Sequence, residues 1–268
     1  MASHFSSIGL NVTEQKDFEN YFELAYQNGE KIKTKLGTYV KWHIGDGIEL
    51  WGQLDSNNMA VGMNPHFSGT SRIKIRACEK IKRDNDSVLD GALYCWAAPD
   101  ESGEGQYPFV FDIPDMAAYG DVDLPKIFTA QITGFAHEIS AYKDDEEFEK
   151  SQETKPKFAS ESFIPAGLFS PDGNETVPPR AMAVFTGHVI ETRTVTNQHT
   201  NLEFIYARIK TLGGEFDIVV DPHILEGRIC VNGVVSGMFW LSGRLIEDDI
   251  TKKEEKDSKF SFFKLFKK

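Results

Sequence analysis

Thr38-Tyr39-Val40-Lys41-Trp42-His43-Ile44-Gly45-Asp46-Gly47-Ile48-Glu49-Leu50-Trp51-Gly52-Gln53-Leu54 is the stretch on which the reading of this chain turns. Apolar and polar positions alternate on either side of Gly45-Asp46-Gly47, the pattern of two strands joined by a tight glycine turn. One face carries Val40, Trp42 and Ile44, continued by Ile48, Leu50 and Leu54. The opposite face carries Tyr39, Lys41 and His43, continued by Glu49, Trp51 and Gln53. A period of two with one apolar side predicts a sheet packed on the protein by one face, with the other turned to something polar. Trp51 is costly to leave in water, so Tyr39, Lys41, His43, Glu49, Trp51 and Gln53 form the candidate ligand-binding cleft. A solvated outer face and a covering strand layer are the alternatives that the residues leave open.

Outward from this hairpin, Ile8, Leu10 and Val12 alternate as a strand, and Thr13 is placed as an N-cap. Phe18, Tyr21, Phe22 and Ala25 then form one apolar helical stripe that ends at Asn28-Gly29. Downstream, strands are predicted at Met59 to Met63, Arg72 to Ile81, Ala92 to Ala97, Tyr107 to Ile113 and Ile127 to Tyr142, the last bending at Gly134. Met63 to Gly69 reads as a polar turn, because Asn-Pro and Ser-Gly are turn formers. Residues 143–180 are acidic and punctuated by Pro156, Pro165, Pro171, Pro178 and Pro179. A second all-β pattern runs from Arg180, with strands at 181–195, 202–210, 216–220, 229–231 and 238–245 and a turn at Leu212-Gly213-Gly214. No repeat at solenoid periods is visible.

The expected fold class is therefore α+β and β-rich. A bent-sheet domain is expected over 1–150, a proline-rich connector over 151–179 and a small β-barrel over 180–247. A charged tether and amphipathic tail follow over 248–268. The chain has 268 residues, 40% hydrophobic and 26% charged, enough for a proper core. Cys78, Cys95 and Cys230 are odd in number and widely spaced, which fits buried thiols in a reducing compartment. No secretory apolar segment opens the chain, and no run approaches the roughly 20 residues that span a bilayer. A cytoplasmic location is the expectation.

Formal charge is −12, but residues 252–268 carry +4, with seven Lys and three acids, leaving −16 on the body. A body so acidic repels phosphate backbones, which disfavours a nucleic-acid partner. In the tail, Phe260, Phe262, Phe263, Lys264, Leu265, Phe266, Lys267 and Lys268 pack apolar residues among cations without one acid. This segment resembles the C-terminal amphipathic membrane-targeting sequences of some bacterial peripheral proteins, and a bacterial source is the expectation that goes with it. Binding to a membrane surface, to a protein partner or to the chain's own acidic body are the readings it allows.

Two further resemblances concern the body. Ile8-Gly9-Leu10-Asn11-Val12, the helix with Phe18 and Tyr21-Phe22, and Ile48-Glu49-Leu50-Trp51 resemble one βαβββ module of the vicinal-oxygen-chelate (glyoxalase and extradiol dioxygenase) superfamily. That likeness implies a divalent metal with Glu49 as last-strand ligand, yet the first-strand ligand position holds Ser7 and His4 has the wrong parity. Residues 181–246 resemble an OB-fold, with Gly237-Met238-Phe239-Trp240-Leu241-Ser242-Gly243-Arg244 as its closing strand. That likeness implies single-strand binding through Arg193, Arg208, Lys210 and Arg244 with Phe204, Tyr206 and Trp240.

Catalytic signatures are missing. No Gly-rich phosphate loop, G-x-S-x-G elbow or Cys-x-x-Cys is present. His137-Glu138 lacks a second His one helical turn on and reads as a surface strand pair. Asp112-Ile113-Pro114-Asp115 reads as capping carboxylates. No catalytic or metal residue is assigned, and no cofactor follows. The expected role is a non-catalytic ligand- or partner-binding adaptor localised by its tail. A vicinal-oxygen-chelate metal enzyme and a single-strand nucleic-acid binder are the alternatives.

Overall fold

The computed structural model describes residues 3–153, 157–168 and 177–246. The chain is β-rich α+β, with fourteen strands among the described residues arranged in two sheets. The first sheet is an antiparallel run of β1 (Glu30–Lys33), β2 (Thr38–Gly45), β3 (Ile48–Leu54) and β4 (Ala60–Phe67), in that order. The helix α1 (Gln15–Asn28) packs on β2 and β3. Its first turn is closed by a reciprocal cap between Glu14 and Asp17, while Thr13 donates to the Asp17 carboxylate at 2.9 Å. The hairpin thus has the register that its alternation predicts, with Tyr39 opposite Gln53, Lys41 opposite Trp51 and His43 opposite Glu49.

Two local expectations are corrected. Ser6–Ile8 forms a 3-10 turn rather than a strand, closed by Gly9 at φ 69°. Ile8 and Leu10 are buried as the alternation required. Their carbonyl neighbourhood is met by side chains instead of a strand partner: Asn197 donates to the Ile8 carbonyl at 2.9 Å and Thr200 to that of Gly9 at 2.6 Å. Met63 to Phe67 is not a turn but the second half of β4. Pro65 is tolerated because β4 is an edge strand, where a missing N–H breaks no ladder.

The second sheet holds β5 (Ile73–Ile81), β6 (Ala92–Ala97), β7 (Pro108–Asp112), β8 (Lys126–Tyr142), β9 (Ser162–Ile164), β10 (Met182–Thr196), β11 (Glu203–Thr211), β12 (Gly214–Val220), β13 (Leu225–Gly227) and β14 (Val234–Leu245). The two long strands β8 and β14 pair antiparallel from Val234–Tyr142 to Leu245–Ala130. Each then serves two closed rings. The meander β5-β6-β7 closes through β7 on β14 and β5 on β8. The meander β10-β11-β12 closes through β12 on β8 and β10 on β14. In each ring the third strand meets its long strand in parallel, and the first strand meets the other long strand antiparallel.

The two rings thus repeat one topology, and a few side chains repeat with it. Phe111-Asp112-Ile113 at the end of β7 corresponds to Phe216-Asp217-Ile218 on β12, and Thr133-Gly134 on β8 to Ser242-Gly243 on β14. Asp112 lies beside Ser242 and Asp217 beside Thr133, while Thr133 and Ser242 face each other across the shared pair. Two residues before each hydroxyl, Gln131 donates to Asp217 at 2.8 Å and Trp240 to Asp112 at 2.7 Å. The repeat is invisible as a sequence period because its halves agree in only a few positions.

The glycine of the repeat has a packing reason. A Cβ on Gly243 would stand 2.8 Å from both the Gln131 carbonyl oxygen and a Phe111 ring carbon. Gly243→Ala is therefore expected to cost about 1–3 kcal/mol of unfolding free energy in urea denaturation, with the β-sheet circular-dichroism signature retained.

The boundary expected at 151–179 is crossed by strand pairing. β8, from before it, pairs with β12, β13 and β14 from after it. β9, inside the connector, adds to β10, and its Phe163 is buried in a stack on Tyr107 and Phe185. Residues 229–231, expected as a strand, lie outside the strands, and the short β13 forms just upstream.

Candidate functional site

The face of Tyr39, Lys41, His43, Glu49, Trp51 and Gln53 does not open on a cleft; a second layer covers it. Tyr39, Glu49, Trp51 and Gln53 are buried, Lys41 is half-buried and only His43 is exposed. The physical reason is hydrogen bonding by chain that arrives from far away. The Tyr39 hydroxyl donates to the Leu89 carbonyl at 2.6 Å and accepts from the Ala117 N–H at 2.9 Å. Gln53 donates to Asp90 at 2.7 Å and accepts from Ser87 at 2.7 Å. The Arg244 guanidinium of β14 lies 5.1 Å from the Trp51 ring.

Beneath this layer lies a network of charges. Glu49 accepts from Lys41 at 2.8 Å and from the Trp51 indole at 2.9 Å, one oxygen to each. Arg244 pairs with Asp115 at 2.8 Å. His66, completely buried, shares a hydrogen bond with the Ser242 hydroxyl through Nδ1 at 3.0 Å. His66 Nε2, Asp115 Oδ1, Tyr119 Oη and Arg244 Nε have no partner in the structure, and all four belong to this one region.

Burial pushes the His66 imidazole down to about 4, against the pull of Glu49. Burial would raise Glu49, but the adjacent His66 imidazole, the Lys41 ammonium that hydrogen-bonds it and the Arg244 guanidinium hold it below the usual carboxylate range. Asp115 is raised by burial despite Arg244. A serine hydroxyl at 3.0 Å from an imidazole is the start of a nucleophile–base pair. Here the base is too weak at neutral pH, both groups are buried, and Glu49 spends its two oxygens on Lys41 and Trp51 instead of orienting the ring.

The same engagement settles how Glu49 stands toward a divalent metal. Its oxygens are taken by an ammonium and an indole N–H, and the first-strand position is a buried Ser7 in a 3-10 turn. These residues do not fit a metal centre. Among the described residues no group of three or more His, Cys, Asp or Glu is arranged to hold one. His4 and His137 meet Nε2 to Nε2 at 2.9 Å, and His4 stacks on Trp240 with ring centres 4.1 Å apart.

The barrel residues considered for single strands are also spoken for. Arg193 pairs with Glu191 at 3.2 Å, Arg208 with Glu215 at 3.2 Å, Lys210 with Glu161 at 3.3 Å and Arg244 with Asp115. Phe204, Tyr206 and Trp240 are buried and present no stacking face. The tail residues Phe260, Phe262, Phe263, Lys264, Leu265, Phe266, Lys267 and Lys268 lie outside the described residues.

The open site lies at the edge of the first sheet. A groove of about 730 Å³ runs between the β1–β2 turn and the end of β5, floored by the 3-10 turn Met116–Tyr119. Lys33 and Lys35 line it from the first side and Lys80 and Lys82 from the other. None of these four lysines is ion-paired among the described residues. Sequence reasoning missed this groove because its walls are some 45 residues apart, although Lys33-Thr34-Lys35 and Lys80-Ile81-Lys82 are visibly the same alternating basic pattern. No family profile, curated protein or solved structure matches this chain.

Proposed function

We propose that this chain is a non-catalytic binding protein whose ligand enters the groove between the β1–β2 turn and β5. The observation that carries this reading is the groove itself: its volume of about 730 Å³ is that of small-molecule sites, and Ile32, Leu36, Ile81, Val88 and Met116 give its lining an apolar part beside the lysines. The covered network beneath supports it, because the Tyr39 hydroxyl pins both the Leu89 carbonyl and the Ala117 N–H, next to two stretches that line the groove. The floor is thus preorganised, which lowers the ordering cost of binding. The basic tail, as a localising peptide at a membrane surface or on a protein partner, remains part of the proposal. So does the OB-like character of residues 181–246. The three-strand meander β10-β11-β12 and its parallel closure on β8 support it, although β8 precedes the meander in the chain.

The test uses the full chain and Nile red, an uncharged dye that fluoresces in apolar sites. Saturable uptake at one site per chain is expected, and Ala118→Trp, which fills the groove from an exposed position on its floor, should abolish it without moving the thermal midpoint. Uptake that ignores the filled groove, or no saturable uptake at all, sinks the reading.

A further inference from the structure

We infer that the groove takes a single-chain amphiphile with an anionic head, of which a fatty carboxylate is the simplest. This rests on the groove being the binding site and adds the chemistry of what fills it. Lysines stand on both walls, Lys33 and Lys35 from the β1–β2 turn and Lys80 and Lys82 from the end of β5. The same lining holds two carboxylates, Asp121 and Asp90, the second already accepting from Gln53, Asn64 and the Ser87 N–H. Four cations against two acids leave the groove net positive, against the general trend of charge on so acidic a body, and like charges gathered in one cleft favour an anion among them. Lys80 donates to the neutral Gly120 carbonyl at 3.2 Å and makes no ion pair at 4.0 Å or less among the described residues.

The apolar part selects the rest of the ligand. Leu36 and Val88 at the groove are each 51% exposed, large aliphatic surface that a bound chain would cover. The lining contains aliphatic side chains and Met116 but no aromatic ring, so it offers nothing for a planar base or sugar to stack on. An extended acidic peptide added to β1 is the competing occupant. β1 has four residues, and Lys31 and Lys33 on it and Lys35 in the following turn are exposed, and a short, lysine-rich edge resists strand addition. A compact anionic head with a saturated chain fits both features.

Laurate and dodecanol, which share a chain and differ in the head, are titrated against Nile red bound to the full chain, at low ionic strength and below micelle formation. Laurate is expected to displace the dye at about tenfold lower concentration than dodecanol, the return on a few partly exposed ion pairs. Replacing Lys33, Lys35, Lys80 and Lys82 together by Gln should equalise the two ligands while dye uptake stays as in the parent. Three of these lysines make no side-chain hydrogen bond or ion pair among the described residues and all four are exposed, so the fold is not at stake. Equal displacement by acid and alcohol in the parent, or a preference that survives the Gln variant, overturns the anionic head and leaves the groove as the binding site. Displacement by neither overturns the chain-like ligand in the same way. Absence of Nile red uptake removes both readings together.

Discussion

Asp217→Ala should lower the unfolding free energy by about 4 kcal/mol, while Asp112→Ala, at the equivalent place in the other ring, should cost about 1 kcal/mol. The carboxylates hold equivalent places in the two rings, so the difference isolates environment from position. Asp217 is fully buried. It accepts from the Ser71 hydroxyl at 2.7 Å, Gln131 at 2.8 Å, the Tyr206 hydroxyl at 2.9 Å and the N–H groups of Ser71 and Thr70 at 3.0 and 3.2 Å. Truncation would leave the buried Ser71 N–H without its acceptor and strip the Ser71 hydroxyl, Gln131 and the Tyr206 hydroxyl to their weaker second partners, Ile132, Phe67 with Thr133, and Thr70. An orphaned buried donor costs about 1–3 kcal/mol, and the cavity left by the carboxyl adds to it. Asp112 has two donors, Arg83 at 2.9 Å and Trp240 at 2.7 Å, and it borders an open recess of about 140 Å³ from which water can replace it. Urea denaturation of the two variants checks the contrast; equal losses would mean that the carboxylates are not held as described.

The same comparison shows what the sequence could and could not disclose. Strands announce themselves locally, so the alternation at Thr38 to Leu54 and at Ile127 to Tyr142 predicts β2, β3 and β8 to within a residue or two. The stripe Phe18, Tyr21, Phe22, Ala25 does the same for α1. What one strand's face meets is a different matter. Trp51 was rightly kept from water, but its cover is Arg244, nearly 200 residues away, and no local pattern encodes that contact. Asn64-Pro65 outweighs the short alternating run around it and places His66 in a turn, and only the edge position of β4 makes that proline harmless. Phe-Asp-Ile and the hydroxyl-glycine pair do appear twice in the chain. Three residues and then two, at unequal spacing, carry little weight until strand register places Asp112 beside Ser242 and Asp217 beside Thr133.

Burial of neutral imidazole makes acid the strongest lever on this fold. His66 is held down to about 4 by burial, and His4 likewise, by burial and then by the neighbouring His137. Both titrate near 6.5 once the chain unfolds. Between those values the unfolded chain binds the protons and the folded one does not, so stability rises with pH across the window and is lost as pH falls from about 6.5 toward 4. Each histidine should contribute about 2 kcal/mol of loss between pH 7 and pH 5. Glu49, held below its ordinary range, adds to the loss only at lower pH, as its protonation begins to be favoured in the unfolded chain. Asp112 and Asp115 act in the opposite sense, because burial raises both and their protonation favours the folded state. Their protonation in the folded chain therefore blunts the acid limb. Urea titrations at pH 7 and pH 5 should therefore show a drop of about 3–4 kcal/mol in the parent chain, and about 2 kcal/mol less of a drop in His66→Asn. Should that variant prove too unstable to measure, the imidazole signals of the parent in an NMR pH titration decide the matter. Two histidines that stay neutral down to pH 5 are required, and titration of all seven near pH 6.5 would show that His66 and His4 are not sealed from solvent.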